Sequence, residues 1–395
     1  MSAVLVINSG SSSFKYQLID MDSEVALASG LVERIGEQTG HTTHHGPNGT
    51  SERTLQIRDH TAGFQAMLDA FEKAGPSLTD FPPVAVGHRV VHGGKRFFEA
   101  TIVTPLVEIN IQDLAELAPL HNPANLEGIV AAKRAFPGVP QVAVFDTAFH
   151  QTLAPAAYTY AIDAALAERY RVRRYGFHGT SHKYVSTTAA QFLNRPLGDL
   201  KQIVLHLGNG ASACAVDGGR SVETSMGMTP LEGLVMGTRS GDLDPAVLLH
   251  LSRHAKLDID GLDELLNRKS GILGLSGHGD MRDVEKAAAQ GDEAAVIALE
   301  TYVHRIKQYI GGYWAQLGRL DTIVFTAGVG ENSATVRAGA LAGLEGLGVL
   351  VDASANEAPS RVARQISAPD SQVTVLVVPT NEELEIARQT LVAIG

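Results

Sequence analysis

Two stretches far apart in the chain share one plan, and together they restrict the fold more than any other feature. Val4-Leu5-Val6-Ile7 is an uncharged, largely β-branched run that reads as a buried strand. It enters a small-residue turn, Asn8-Ser9-Gly10-Ser11-Ser12-Ser13, and leaves through Phe14-Lys15-Tyr16-Gln17-Leu18-Ile19, which alternates like a returning strand. Residues 202–219 repeat the plan: a buried run through His206 and Leu207, a tip of Gly208-Asn209-Gly210, a return through Cys214 and Val216, and a glycine turn. A tip of glycine and hydroxyl residues offers unobstructed backbone N–H groups to an anion. Lys15 stands just past the first tip, placed to meet phosphate as a point charge. An ordinary Ser/Gly hairpin is the alternative for either stretch alone. As a pair, one opening each half, they predict a duplicated α/β fold with a phosphate chain held between the copies.

Length and charge narrow the classes. At 395 residues the chain exceeds one hydrophobic core, so two domains are expected, 1–150 and 151–381. Apolar residues make up 44% and charged ones 19%, an ordinary globular balance. The 43 acidic against 32 basic residues argue against a nucleic-acid partner. The lone Cys214 excludes an internal disulfide and fits a reducing compartment. No apolar run is long enough to span a membrane, and the N-terminus opens directly into a strand, so a cytoplasmic location is expected.

Along the first half, 25–35 reads as a strand and 53–57 as its partner. Residues 36–52, with His41, His44 and His45, read as a solvated loop, because nothing apolar nearby would fix the histidines for a metal. Residues 61–74 form a helix with Phe64, Met67 and Phe71 on one face, ended by Gly75-Pro76. The run Val84 to Gly94 places Arg89 inside an apolar strand, where a buried guanidinium needs an anion, whether a structural carboxylate or a ligand. Asn122 and Pro123 read as N-cap and first residue of a helix over 124–136. Asp146 follows the buried strand 139–145, the end of a strand at which α/β folds place their chemistry.

In the second half, Phe177-His178-Gly179-Thr180-Ser181-His182 precedes a helix capped by Thr180 or Ser181. Gly237-Thr238-Arg239-Ser240-Gly241-Asp242 is a loop with a second well-placed arginine. Residues 292–317 form a long amphipathic helix. A strand over 321–325 runs into Gly328-Val329-Gly330-Glu331-Asn332 and a helix, a suitable anion cradle that lacks the third glycine of the dinucleotide fingerprint. The chain has no Gly-x-x-x-x-Gly-Lys-Ser/Thr and no protein-kinase motif set. A strand over 373–378 and a last helix over 382–394 close the chain, with Glu382 and Glu383 suited to the helix dipole.

Two Gly/Ser hairpins, a strand–Gly-x-Gly–helix segment and two loop arginines resemble the ribonuclease H-like actin, Hsp70 and sugar-kinase superfamily, whose paired domains clamp a nucleotide. Specific strings narrow the resemblance. Val6 to Lys15 and Gly87-His88-Arg89-Val90-Val91-His92-Gly93-Gly94 resemble the two signatures of the acetate kinase family. The blocks at Phe177 to His182, His206 to Gly210, Gly237 to Asp242, Phe325 to Asn332 and Pro379 to Glu383 follow in the family's order.

The resemblance implies ATP + acetate ⇌ ADP + acetyl phosphate, with propionate as the alternative acid, and a homodimer. It matches Arg89, Asp146, His178 and Arg239 to catalytic positions. It matches Arg89, Val91, Leu120, Phe177 and Pro230 to the acyl site. A methyl group buried there contributes only about 1 kcal/mol, so one extra methylene is rejected ~10-fold. Phosphates fall to Lys15, His206, Leu207, Gly208, Asn209 and Gly210. Adenosine falls to Asp280, Met281, Arg282 and to Gly328, Val329, Gly330, Glu331 and Asn332. Ser276 to Asp280 is one residue shorter than the usual family loop, a departure beside the nucleotide. Asn8 and Glu382 match the Mg2+ site, which Mn2+ would also suit, and their pairing returns residues 382–395 to the first domain. Acetate is ionised near neutral pH and its attack needs no base, so the role left for Asp146 is to orient Arg89 or a metal-bound water. An alcohol kinase of the same superfamily would need such a base and a polar pocket. A chaperone-like nucleotide module would have no use for two arginines and a histidine at the γ-phosphate.

Overall fold

The computed structural model describes residues 2–395. The chain divides into a first unit, residues 1–151 with 381–395, and a second, 152–380.

The first unit is built on an eight-stranded sheet. Its strands are β1 (Ala3–Ser9), β2 (Ser13–Asp20), β3 (Val25–Glu33), β4 (Gly40–Gly46), β5 (Gly49–Leu55), β6 (Pro83–Val90), β7 (Thr101–Ile102) and β8 (Gln141–Phe145), in the order β5-β4-β3-β2-β1-β6-β8-β7. Strands β1, β6 and β8 run parallel, and β1, β2 and β3 form an antiparallel meander. Helix His60–Ala74, capped by the Asp59 carboxylate, turns Phe64, Met67 and Phe71 onto Phe14 and Tyr16 of β2, and the Phe14 and Phe64 rings stack at 4.7 Å. Each phenylalanine so buried contributes about 1.5–3 kcal/mol. Helix Asn122–Ala135 adds Ala131 and Ala132 to the same core. Helix Glu382–Ile394 packs on this unit through buried Leu384, Ile386, Ala387 and Thr390. It comes so close to β6 that a Cβ on Gly87 would lie 2.3 Å from Thr390 Oγ1.

The expected solvated loop after β3 is instead the hairpin β4–β5, and β5 pairs with β4 rather than with β3. His44 is fully buried in it, its Nε2 donating to Gly75 O and its Nδ1 accepting from Tyr16 Oη, both at 2.8 Å. Burial lowers its pKa and keeps it neutral. The histidine cluster is thus a satisfied structural feature, and its alternation is carried by inward Gly40, Thr42 and His44, which a search for apolar residues passes over.

The second unit holds six strands: β9 (Lys201–Leu207), β10 (Ala211–Asp217), β11 (Arg220–Thr224), β12 (Thr322–Thr326), β13 (Arg364–Gln365) and β14 (Thr374–Val377), ordered β11-β10-β9-β12-β14-β13. The run β11-β10-β9-β12-β14 repeats β3-β2-β1-β6-β8 in order and in the sense of every pairing. Helix Glu293–Leu317, capped by Asp292, buries Ala295, Ala298, Tyr302, Ile306, Ile310, Tyr313 and Leu317, a stripe at helical spacing.

Candidate active site

In the first unit, the parallel pairing of β6 with β8 sets Arg89 beside the residue that follows β8. Asp146 N donates to Val90 O at 3.0 Å, and Arg89 grips the carboxylate in a fork, Nε to Oδ1 at 3.0 Å and Nη2 to Oδ2 at 2.6 Å. Asp146 is buried, and its charge raises the Arg89 pKa above its usual value. Glu382, first residue of the last helix, lies in the same field. Burial pushes its carboxyl up to about 7 against the pull of Arg89, with Asp146 and Glu383 adding to the rise. Asn8, next to last in β1, pairs with Lys15 in the β1–β2 register, and Gly10, Ser11 and Ser12 at the tip between them are exposed.

The loop after β6 is pinned from the start of helix Asn122–Ala135, an arrangement not foreseen from sequence. Asn125 Oδ1 accepts from Val91 N and its Nδ2 donates to Ser9 O, while Asn122 accepts from His92 N and donates to His92 O. Asn122 is therefore a strut inside the first turn, and the N-cap is His121. Val91 is buried at 9% exposure, whereas Leu120 is 63% exposed.

In the second unit the β9–β10 tip closes with Gly208 N donating to Gly210 O, and Asn209 O accepts from Gly237 N. A Cβ on Gly237 would fall 2.0 Å from Asn209 Oδ1, so a side chain there would displace the Asn209 amide or lift the Arg239 loop from the tip. Arg239 Nη1 donates to Pro230 O at 2.8 Å, and burial lowers its pKa. The loop is braced from behind: Asp242 accepts from Gly233 N and Tyr309 Oη, and Arg174 and Tyr160 both hold Glu232.

His178, not Thr180 or Ser181, caps helix Gly179–Phe192, and it does so with φ +55, a strained left-handed backbone for a histidine. A Cβ on Gly210 would lie 3.6 Å from both His178 Nε2 and Arg239 Nη1, so the two groups converge over the same glycine. Behind them, Ser212 Oγ lies 2.9 Å from His178 Nδ1 and 2.8 Å from His182 Nε2. One hydroxyl has one hydrogen, so one of these nitrogens accepts and the other donates. His206 stacks on His178 at 4.1 Å and takes its own serine partner, Ser181, which also meets Thr380. Ser181 and His182 lie in a block the sequence singles out, but their pairing with His206 and Ser212 is made only by the fold. Phe177 is buried just ahead of this cluster.

A cavity of about 740 Å³ opens in the second unit. Gly208, Asn209, Asp280, Met281 and Arg282 line it, and so do Gly328, Val329 and Asn332. Tyr302 and Gly237 complete its wall, and Tyr302 Oη is buried there with no hydrogen-bond partner. Arg282 forks onto Asp280, which caps helix Met281–Ala289, and lowers its pKa to about 2. His206, Leu207, Gly210, Gly330 and Glu331 do not line the cavity. Glu331 turns inward, its Oε1 accepting from Ala327 N and Thr380 N, and so ties β12 to the end of the unit.

Two sheets that share a five-strand run of the same order and pairing, each with a glycine-tipped hairpin, define the duplicated ribonuclease H-like fold of the actin and sugar-kinase superfamily. Within it the chain belongs to the Acetokinase family, whose profile matches residues 3–388. It is 72% identical over 395 residues to the acetate kinase of Leifsonia xyli subsp. xyli, covering the whole of both chains. Among solved structures it is similar to the acetate kinase of Porphyromonas gingivalis, at 44% identity and a TM-score of 0.96 over 100% of both chains. It is also similar to a propionate kinase of Francisella tularensis subsp. tularensis, at 40% identity and a TM-score of 0.92 over 99% of each.

Proposed function

We propose that the protein is a carboxylate phosphotransferase of the acetate kinase type, transferring the γ-phosphoryl group of ATP directly to acetate to give acetyl phosphate and ADP, and running in reverse. The observation that carries the assignment of roles is the convergence of His178 Nε2 and Arg239 Nη1 over Gly210. Two donors aimed at one point suit the equatorial oxygens of a phosphoryl group in flight, where charge neutralisation and positioning do most of the work. To donate from Nε2, neutral His178 needs Nδ1 as an acceptor, and Ser212 supplies that hydrogen while accepting from His182.

Arg89 serves the acid. Asp146 occupies its Nε and Nη2, which leaves the Nη1 side of the fork for the acetate carboxylate. Asp146 accordingly orients the guanidinium and takes no proton from a substrate that has none to give. Val91, Leu120, Phe177 and Pro230 are assigned to the methyl group. The 740 Å³ cavity suits adenosine, with the orphaned Tyr302 hydroxyl as a polar contact and the Gly208–Asn209 backbone toward the phosphates.

Mg2+ belongs to the same reading, held through Asn8 and Glu382. The donor set fits: both offer hard oxygen, and a cation would favour the charged form of a Glu382 carboxyl that burial disfavours. When bound, the ion neutralises phosphate oxygens. A homodimer is supported by helices Ala246–His254 and Ile259–Arg268, which bury none of their residues and leave Leu249 58% and Ile259 84% exposed. Cytoplasmic residence accords with ATP as co-substrate and a lone buried thiol at Cys214.

The test is acyl hydroxamate formation from Mg-ATP, hydroxylamine and each of acetate, propionate and butyrate. Acetate should give the highest kcat/KM. No product with any of the three would end the reading, and a higher value for propionate would move the preferred acid.

A further inference from the structure

A second cavity, about 410 Å³, lies in the second unit on the far end of helix Ala327–Asn332, and three of its lining residues are arginines: Arg337, Arg361 and Arg364. Their charges are poorly met by the protein. Arg337 is 2% exposed, and all its hydrogen bonds go to neutral oxygens: Asn356 Oδ1, Asn356 O, Gly330 O and Glu331 O. A guanidinium buried without a hydrogen-bonded carboxylate is costly, and Glu285, held by Ser333, offsets it only without direct contact. The nearby Arg364 adds to that cost, and together with burial lowers the Arg337 pKa to about 10. Arg364 itself has Nε and Nη1 shut off from solvent with no hydrogen-bond partner. The two acids on the wall answer this charge only in part, Glu331 attracting Arg364 without hydrogen bonding to it. Glu331 spends its Oε1 on backbone N–H groups, and Glu357 is exposed and forms no ion pair with Arg361 or Arg364 among the described residues.

The start of helix Ala334–Leu341 also opens on this space, with Ala334 on the wall, and adds the positive end of a helix dipole. Three guanidiniums and a helix start form a receptor for a compact oxyanion, with the closed-off Nε and Nη1 of Arg364 acting through charge alone. The volume exceeds what inorganic phosphate needs and admits a small phosphorylated or polycarboxylate metabolite. We propose that the cavity walled by Arg337, Arg361 and Arg364 is a binding site for a small multivalent oxyanion, adjoining the nucleotide cavity at the shared residue Asn332.

Isothermal titration of the whole chain with inorganic phosphate, and separately with citrate, tests this. Phosphate bound in the nucleotide cavity contributes equally to every variant, so the difference between proteins isolates the site. Binding of either probe that weakens about tenfold or more in Arg364→Gln, and several-fold in Arg361→Gln, is the expected result. Preference between the probes identifies phosphate or carboxylate as the recognised group. Identical isotherms in wild type and Arg364→Gln with both probes, or no binding by wild type, would overturn the proposal. Without ligand, Arg364→Gln should melt at or above the wild-type temperature, since it removes an unpartnered guanidinium. If that variant does not fold, the exposed Arg361→Gln decides alone.

Discussion

Replacing Arg89 with alanine removes one half of the forked Arg89–Asp146 ion pair, and the two halves are not equivalent. The Asp146 side chain is 2% exposed and Arg89 23%, so losing the arginine strands a carboxylate that water does not reach. At about 3 Å and an effective dielectric constant of about 20, the attraction is ~5 kcal/mol. Part of this offsets desolvation, and breaking such a pair from one side costs about 3–5 kcal/mol. Glu382 makes matters worse, because its own burdened carboxyl loses a compensating cation. Arg89→Ala should therefore lose ~3 kcal/mol or more in stability as well as turnover. Asp146→Asn should lose less, since the remaining guanidinium still reaches solvent and an amide oxygen. The double variant Arg89→Ala/Asp146→Ala should recover part of the loss. Trp314, the only tryptophan, sits in the second unit and does not report on this pair. Urea unfolding is better followed by circular dichroism and by amide exchange in strands β6 and β8. An Arg89→Ala midpoint within ~0.5 kcal/mol of wild type, or a larger loss in Asp146→Asn, would refute the account.

Ser212→Ala leaves His178 Nδ1 without its hydroxyl donor; kcat should fall about tenfold or more with little change in the ATP KM, Ser212→Thr should restore it, and equal loss in both variants would contradict the role. His88 is buried and donates to Gln141, and burial lowers its pKa to about 4, so the unfolded chain takes up this proton first. Its contribution is complete above pH ~6.5 and is lost as pH falls toward 4, by ~3 kcal/mol in all; thermal melts from pH 7.5 to 4.5 should show this limb, and His88→Phe should lack it. Gly237→Ala drives a methyl into Asn209 Oδ1 and should raise the KM for ATP while costing about 1–3 kcal/mol, read from steady-state kinetics and melting.

The parts legible in the sequence were those written locally. Strands β1, β2, β9 and β10 announce themselves by apolar runs that meet glycine-rich tips, and helix Glu293–Leu317 by its stripe and its Asp292 cap. Hairpin β4–β5 escaped because its inward positions are Gly40, Thr42 and His44, whose burial depends on Tyr16 and Gly75, residues remote in the chain. His178 was singled out, but its left-handed backbone was not, since nothing in a histidine's chemistry favours φ +55. Ser212 and Ser181 acquire meaning only from histidines 30 or 25 residues away. Glu331 adds a structural role that its motif does not announce: its carboxylate holds Ala327 and Thr380.

The return of helix Glu382–Ile394 to the first unit also sets an order of assembly. The second unit is one continuous segment, 152–380, while the first is interrupted by it and lacks a helix until the chain is complete. During synthesis the second unit has all its strands available while β6 still shows a bare face at Gly87, awaiting Ile386 and Thr390. The first unit to leave the ribosome is thus the last to finish folding, and its exposed face must wait, with the aggregation hazard that implies. A chain ending at Thr380 should keep a folded second unit while its first unit, lacking the last helix, fails to fold.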